Sequence, residues 1–323
     1  MSQRLPGILC AGLRLPVIAA PMFLVSTPEL VVAQSVAGVV GSFPALNART
    51  STQLREWLTR IAADLDRFDK DHPGEPSAPF AVNLIVHRSN DRLDDDLAVL
   101  EELRVPIVIT SLGARADVND RIHAYGGIVL HDVVTDRFAR KAIEKGADGL
   151  IAVAVGAGGH GGALSPFALL QEIRAWFDGP VALSGAIAHG SSILAAQAAG
   201  ADLAYVGSLF IATEEAAAGE DYKRMIIDST ATDIVYTDHF TGVHGNYLSG
   251  SILAAGLDPA RLSASDPTTM SFASDRADGP KPWRDIWGAG QGIGTISAIH
   301  PTADVVDRLL GEYRATRDRL ATY

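Results

Sequence analysis

A chain of 323 residues that is 47% hydrophobic and 20% charged can fill a large core, as one big domain or two ordinary ones. Its 27 basic against 38 acidic side chains give a net charge of −11, which disfavours nucleic acid and anionic membrane surfaces as partners but not a small ligand in a locally positive pocket. The single cysteine, Cys10, excludes an intrachain disulfide and suits a reducing, cytoplasmic setting. The opening MSQRLPGILCAGLRLP has no signal-peptide pattern, and no run approaches the ~18 apolar residues of a membrane span.

Short apolar strands alternate with helical patterns from residue 16 to about 219. Strands are expected at 16–22, 38–43, 80–86, 105–112, 127–133, 149–156, 180–185 and 203–210. Helices are expected at 27–37, 51–68, 91–103, 115–125, 135–145, 165–177 and 190–199, with another starting at 213–215. Two of them open on the Thr-Pro or Ser-Pro pair of a capped start, at Thr27-Pro28 and Ser165-Pro166. Eight strand–helix units in strict alternation call for a parallel sheet, and their spacing fits an α/β fold of the closed (β/α)8 TIM-barrel kind. An open doubly wound sheet would more often carry GxGxxG after its first strand, where this chain has APMFLVST. The expected division is a barrel over 1–219, a mostly helical substrate or lid insertion over 220–282, and closing helices over 283–323, at 283–299 and 302–323.

In such a barrel the chemistry gathers at the carboxyl ends of the strands. The stretch AVAVGAGGHGG (152–162) ends a buried strand in glycines, among them Gly158 and Gly159, that let backbone approach a flat ligand closely. His160 is the one titratable side chain there and is placed to act as a base; an incidental histidine in a glycine turn is the plainer reading. Other strand ends offer Ala20, Pro21 and Met22, then Asn83, Thr110-Ser111 and His131. Ser184, Gly185 and Ala186 follow on the seventh strand, and Gly207 and Ser208 on the eighth. Glycine turns feeding helix starts on the last two strands make a phosphate site, which suggests a phosphorylated flat cofactor such as FMN. Asn83 can meet a ring edge or be a satisfied buried amide. Asp148 reads more readily as a connector charge, and Trp283, Trp287 and the glycines of 288–294 as core. No metal-binding spacing stands out: the nine histidines are dispersed, and HFTGVH (239–244) fits a lid loop better than a ligand pair.

The segments AAPM (19–22), NLIV (83–86), GADGLIAVAVGAGGHGG (146–162), SGAIAHG (184–190), GADLAYVGSLFIATEEA (200–216) and DIWGAGQGIG (285–294) resemble the nitronate monooxygenase family, over about residues 15–300. The resemblance implies a non-covalent FMN whose phosphate meets Gly185-Ala186 and Gly207-Ser208. It implies ring contacts at Ala20, Pro21, Met22 and Asn83, and at the positions of His131, Asp148 and Gln291. His160 falls on the family's catalytic histidine. Two positions depart: His131 stands where many relatives have lysine, and His189 where a small or acidic polar residue is usual. The implied reaction is oxidation of alkyl nitronates, and of nitroalkanes, by O2 to a carbonyl compound and nitrite, with a homodimer compatible with it. The alternative is an NAD(P)H-dependent FMN reductase of quinones or enoyl thioesters, and the third reading a barrel that binds a phosphorylated ligand without turning it over. The segment 221–280 would set the substrate.

Overall fold

The computed structural model describes residues 4–264 and 280–322. Eight strands form one parallel sheet: β1 (Val17–Ala19), β2 (Gly41–Pro44), β3 (Phe80–Ile85), β4 (Ile107–Ser111), β5 (Ile128–Val133), β6 (Gly149–Val153), β8 (Val181–Ser184) and β9 (Leu203–Val206), while the two-residue β7 (Gly159–His160) stands outside it. Their order is β1-β9-β8-β6-β5-β4-β3-β2, and the ends meet through the parallel bridge Ile18–Val40, with Ala19 N donating to Val40 O at 2.8 Å. The sheet is thus a closed barrel. Alternation on each strand divides the apolar side chains. Ile18, Val40, Ile109, Leu130, Ile151 and Leu203 pack with one another inside the barrel. Val82, Val108, Val129, Val133 and Leu150 face the surrounding helices. These are α1 (Pro28–Val36), α2 (Ser51–Asp71), α3 (Leu93–Glu102), α4 (Ala116–Ala124), α5 (Asp136–Glu144), α6 (Pro166–Arg174) and α7 (Gly190–Ala198). Pro28 and Pro166 open their helices as expected, although neither Thr27 nor Ser165 adds a side-chain cap bond.

The eighth barrel strand ends early: residues Ser208–Ile211 form a one-turn helix, α8. Beyond it lie α9 (Glu220–Asp228), β10 (Ile234–Thr237), β11 (Gly245–Leu248) and α10 (Ser249–Ala254). The β10–β11 hairpin pairs antiparallel with β7, in the register Gly245–His160 and Asn246–Gly159. Residues 265–279 of the expected insertion lie outside the described residues.

The helix expected at 283–299 is absent. The segment is an irregular stretch with bridges Pro282–Ile286 and Tyr247–Gly288, followed by a 3-10 turn at Gln291–Thr295. Its glycines explain the difference: alternate glycines oppose a helix and let this backbone lie against its neighbours. A Cβ on Gly290 would stand 2.6 Å from Gly156 O, and one on Gly292 2.9 Å from the Ala186 backbone. The second closing helix, α11 (Thr302–Leu320), forms and packs against α7 and α1. Among the described residues no helix is long and apolar enough to cross a membrane.

Candidate active site

The carboxyl ends of the barrel strands open into a cavity of about 990 Å3. Of the residues expected at the site, Ala20, Pro21, Met22, Asn83, His131, Gly158, Gly159, His160, Ser184, Gly185, Ala186, Gly207 and Ser208 all line it. Asp148 and Gln291 do not. Asp148 precedes β6, at the opposite end from the cavity, where its Oδ2 accepts from Val129 N at 2.7 Å and meets His123 Nε2 at 2.8 Å. It joins neighbouring segments at the base of the barrel, the connector role. Gln291 is exposed, with its backbone N–H donating to Gly156 O, although Gly290 and Gly292 on either side do line the cavity.

His160 is half-buried and carried by β7, which the β11 hairpin clamps from outside the barrel. Its Nε2 lies 2.9 Å from Thr241 Oγ1, and Thr241 Oγ1 donates to Val243 O at 3.1 Å. A hydroxyl hydrogen placed on that carbonyl leaves Oγ1 to accept from Nε2–H, the tautomer in which Nδ1 is the basic nitrogen. The edge of the Trp283 ring closes one side, 5.3 Å between centroids at 86°. Burial lowers the imidazole pKa to about 4, so the ring is neutral at pH 7. Thr241 lies inside HFTGVH, so this segment holds His160.

The wall over β3 to β5 is polar, and on β5 the inward side chain falls one residue from the expected position. His131 shares its strand face with Val129 and Val133, which pack on the helices. Its Nδ1 lies 2.6 Å from Thr110 Oγ1, and burial lowers its pKa to about 4. The inward-facing residue is Asp132, which accepts from Ser111 Oγ at 2.6 Å while that Oγ accepts from Asn83 Nδ2 at 2.7 Å. Burial pushes the Asp132 carboxyl up to about 6. Tyr205 lines the same cavity. Counting by twos from Leu130, a barrel-interior residue, would have marked Asp132.

The helix starts beside β8 and β9 differ. The N-terminus of α7 is already satisfied: Ser191 N donates to His189 Nδ1 at 3.1 Å and Gly190 N to Glu312 Oε2 at 2.8 Å. His189 is therefore a helix cap, with its Nε2 3.4 Å from Glu312. Gly185, at φ 138°, lies so close to Val155 O that a Cβ would stand 2.7 Å from it. Ala186 N–H donates to Gly156 O at 3.2 Å. The short helix α8 opens directly on the cavity at Gly207 and Ser208, where Ser208 Oγ accepts from Gly290 N at 2.8 Å.

The nitronate monooxygenase family model matches residues 8–312. A nitronate monooxygenase of Paraburkholderia phytofirmans is 26% identical over 97% of this chain and 96% of its own. Among solved structures, a nitroalkane oxidase of Streptomyces ansochromogenes aligns over 97% of this chain and 100% of its own, at 26% identity and a TM-score of 0.79. A point mutant of FabK from Thermotoga maritima aligns over 100% and 99%, at 25% identity and a TM-score of 0.78. A barrel with its imidazole in the cavity wall and a family match along nearly its whole length place this chain in the nitronate monooxygenase family of oxidoreductases.

Proposed function

We propose that the protein binds FMN across the barrel mouth and oxidises alkyl nitronates, and nitroalkanes, with O2 to a carbonyl compound and nitrite. The observation that carries this is His160: a neutral imidazole, fixed through Thr241, in the wall of a cavity also lined by glycine backbone, Asn83 and apolar side chains such as Met22 and Ile187. The residues present fit the cofactor. Backbone at Gly207 and Ser208, at the start of the short helix, suits a phosphate. Asn83 uses its Nδ2 on Ile109 O and Ser111 Oγ, so the atom it can offer a ring N–H is the Oδ1 acceptor. Bound there, the isoalloxazine supplies the redox chemistry. The chain's own part is to hold the substrate and manage its proton. His160 Nδ1 accepts the α-proton of a neutral nitroalkane, and the nitronate anion so formed raises the imidazole pKa from its low resting value by direct attraction.

The second reading is an NAD(P)H-dependent FMN reductase of quinones or enoyl thioesters, and the structural likeness to FabK of Thermotoga maritima is what supports it. The cavity of about 990 Å3 has to hold the cofactor as well as the substrate, so its size does not separate the two readings. Anaerobic mixing of the FMN-loaded protein separates the two. An alkyl nitronate is expected to bleach the flavin absorbance and NADH to leave it unchanged; rapid bleaching by NADH with none by nitronate overturns the proposal.

A further inference from the structure

The nitronate chemistry uses His160, yet the cavity holds a second titratable group that this chemistry leaves idle. Asp132 stands on the inward face of β5, on Leu130's side of the strand, and lines the cavity. Ser111 on β4 donates to it, and Asn83 on β3 donates to Ser111, so three neighbouring strands contribute one chain of hydrogen bonds ending at the carboxylate. Tyr205 on β9 lines the same cavity, its phenol pushed well above its ordinary range by burial and by the Asp132 charge. On the β6 side the partner in register is Ile151, which is apolar. Among the described residues no cation forms an ion pair with Asp132. Lys141, His87 and His244 line the cavity without pairing with it, and His131 turns to Thr110. A half-buried carboxylate with a hydroxyl as its one hydrogen-bond donor among the described residues responds to any charge that appears nearby in the cavity.

We propose that Asp132 is a redox-tuning residue, a barrel-facing carboxylate that takes up a proton from water when an isoalloxazine bound in the same cavity gains electrons. This inference rests on the flavin reading of the site. The electrons come from a nitronate anion in turnover and from dithionite in the test below. The added negative charge on the ring raises the carboxyl's affinity for a proton, so reduction and proton uptake are linked. The carboxyl is already poised for this, since burial holds it up at about 6, within reach of neutral pH. The linkage has a sign: above pH 6, where Asp132 is ionised beside an oxidised ring, each rise of one pH unit disfavours reduction by up to a further tenfold. For a two-electron couple that is about 30 mV per unit.

The test is a dithionite titration of FMN-loaded wild type and Asp132→Asn, with the midpoint potential followed from pH 5 to pH 9. The wild-type potential is expected to fall more steeply than the variant's above pH 6, leaving Asp132→Asn the easier to reduce at pH 8. Infrared difference spectroscopy on the wild type gives a readout that needs no variant: a protonated-carboxyl C=O stretch gains intensity on reduction at pH 8. Superimposable potential curves, or no carboxyl band, overturn the inference and leave the flavin reading standing. A wild-type protein that binds no FMN, as read by quenching of flavin fluorescence, overturns both.

Discussion

His160 and Asp132 face one cavity with opposite electrostatic problems. Burial keeps the imidazole neutral at pH 7 and pushes the carboxyl up to about 6, penalising the charged form of each while leaving the carboxylate ionised at pH 7. A neutral imidazole held at Nε2 by Thr241 is in the protonation state a base needs and has no charge of its own with which to attract an anion. His160→Asn keeps a polar group of similar reach and removes the base. We expect turnover of neutral nitroalkanes to fall by about 10²–10⁴-fold, the usual worth of a positioned base, while turnover of preformed nitronates changes far less. Steady-state rates on both substrate forms decide it, and equal losses on the two would remove the base role. His160 is legible in the sequence because it is the only titratable group in a glycine loop at a strand end. Thr241 is not, because its contact spans a separation of 81 residues. Asp132 sits directly after a histidine of more obvious chemistry, and the period-2 rule that separates the two applies only once the inward face of β5 is known.

At the scale of elements, the barrel strands are legible because each is a short apolar run closed by glycine, proline or a capped helix start. The 283–299 segment reads as a helix because two tryptophans four residues apart suggest a helix face, while its glycines answer to close backbone contacts visible only in the fold. The three-stranded sheet of β7, β10 and β11 is equally hidden, since its register joins Gly159–His160 to a hairpin over 80 residues away. That sheet fixes the loop that carries His160, and one buried side chain fastens the join: Asn246 Nδ2 donates to Ala157 O at 2.6 Å. Asn246→Ala leaves that carbonyl without its donor, at a cost of about 1–3 kcal/mol. Asn246→Asp is expected to cost more, since it sets a buried acceptor against an acceptor. Urea unfolding reads both, and the Ala variant is also expected to lower nitroalkane turnover through a looser His160. An Ala variant within about 0.5 kcal/mol of wild type, the ordinary scatter of neutral substitutions, and fully active would show that the hairpin does not position the loop.

Over the whole molecule, eight alternating units are enough to anticipate closure, and the bridge between Ile18 and Val40 is how it is made. Closure also has a thermodynamic consequence, because it traps a histidine between the sheet and its helices. His131 is buried against Thr110 with its pKa lowered to about 4 from the 6.5 of an exposed ring. A lowered folded-state pKa means that the unfolded chain binds the proton first as pH falls. The stabilising contribution is therefore complete above pH 6.5 and is lost as the pH drops toward 4. Two and a half units correspond to about 3 kcal/mol, with a slope near ~1.4 kcal/mol per pH unit across that window. Protonation of acidic groups works the other way, relieving self-repulsion in a chain of net charge −11. It does so equally in wild type and in a variant that lacks only this ring. The comparison to make is therefore wild type against His131→Asn, by urea unfolding of the flavin-free protein at several values between pH 4.5 and pH 8. Above pH 6.5 the two curves should run parallel, offset by whatever packing and hydrogen bonding the substitution costs. Below it the wild-type curve should fall toward the variant's, giving up about one proton's worth of stability that the variant cannot lose. Curves that stay parallel down to pH 4.5 would mean that His131 takes its proton as readily folded as unfolded, and that the barrel wall is wetter at this point than its burial implies.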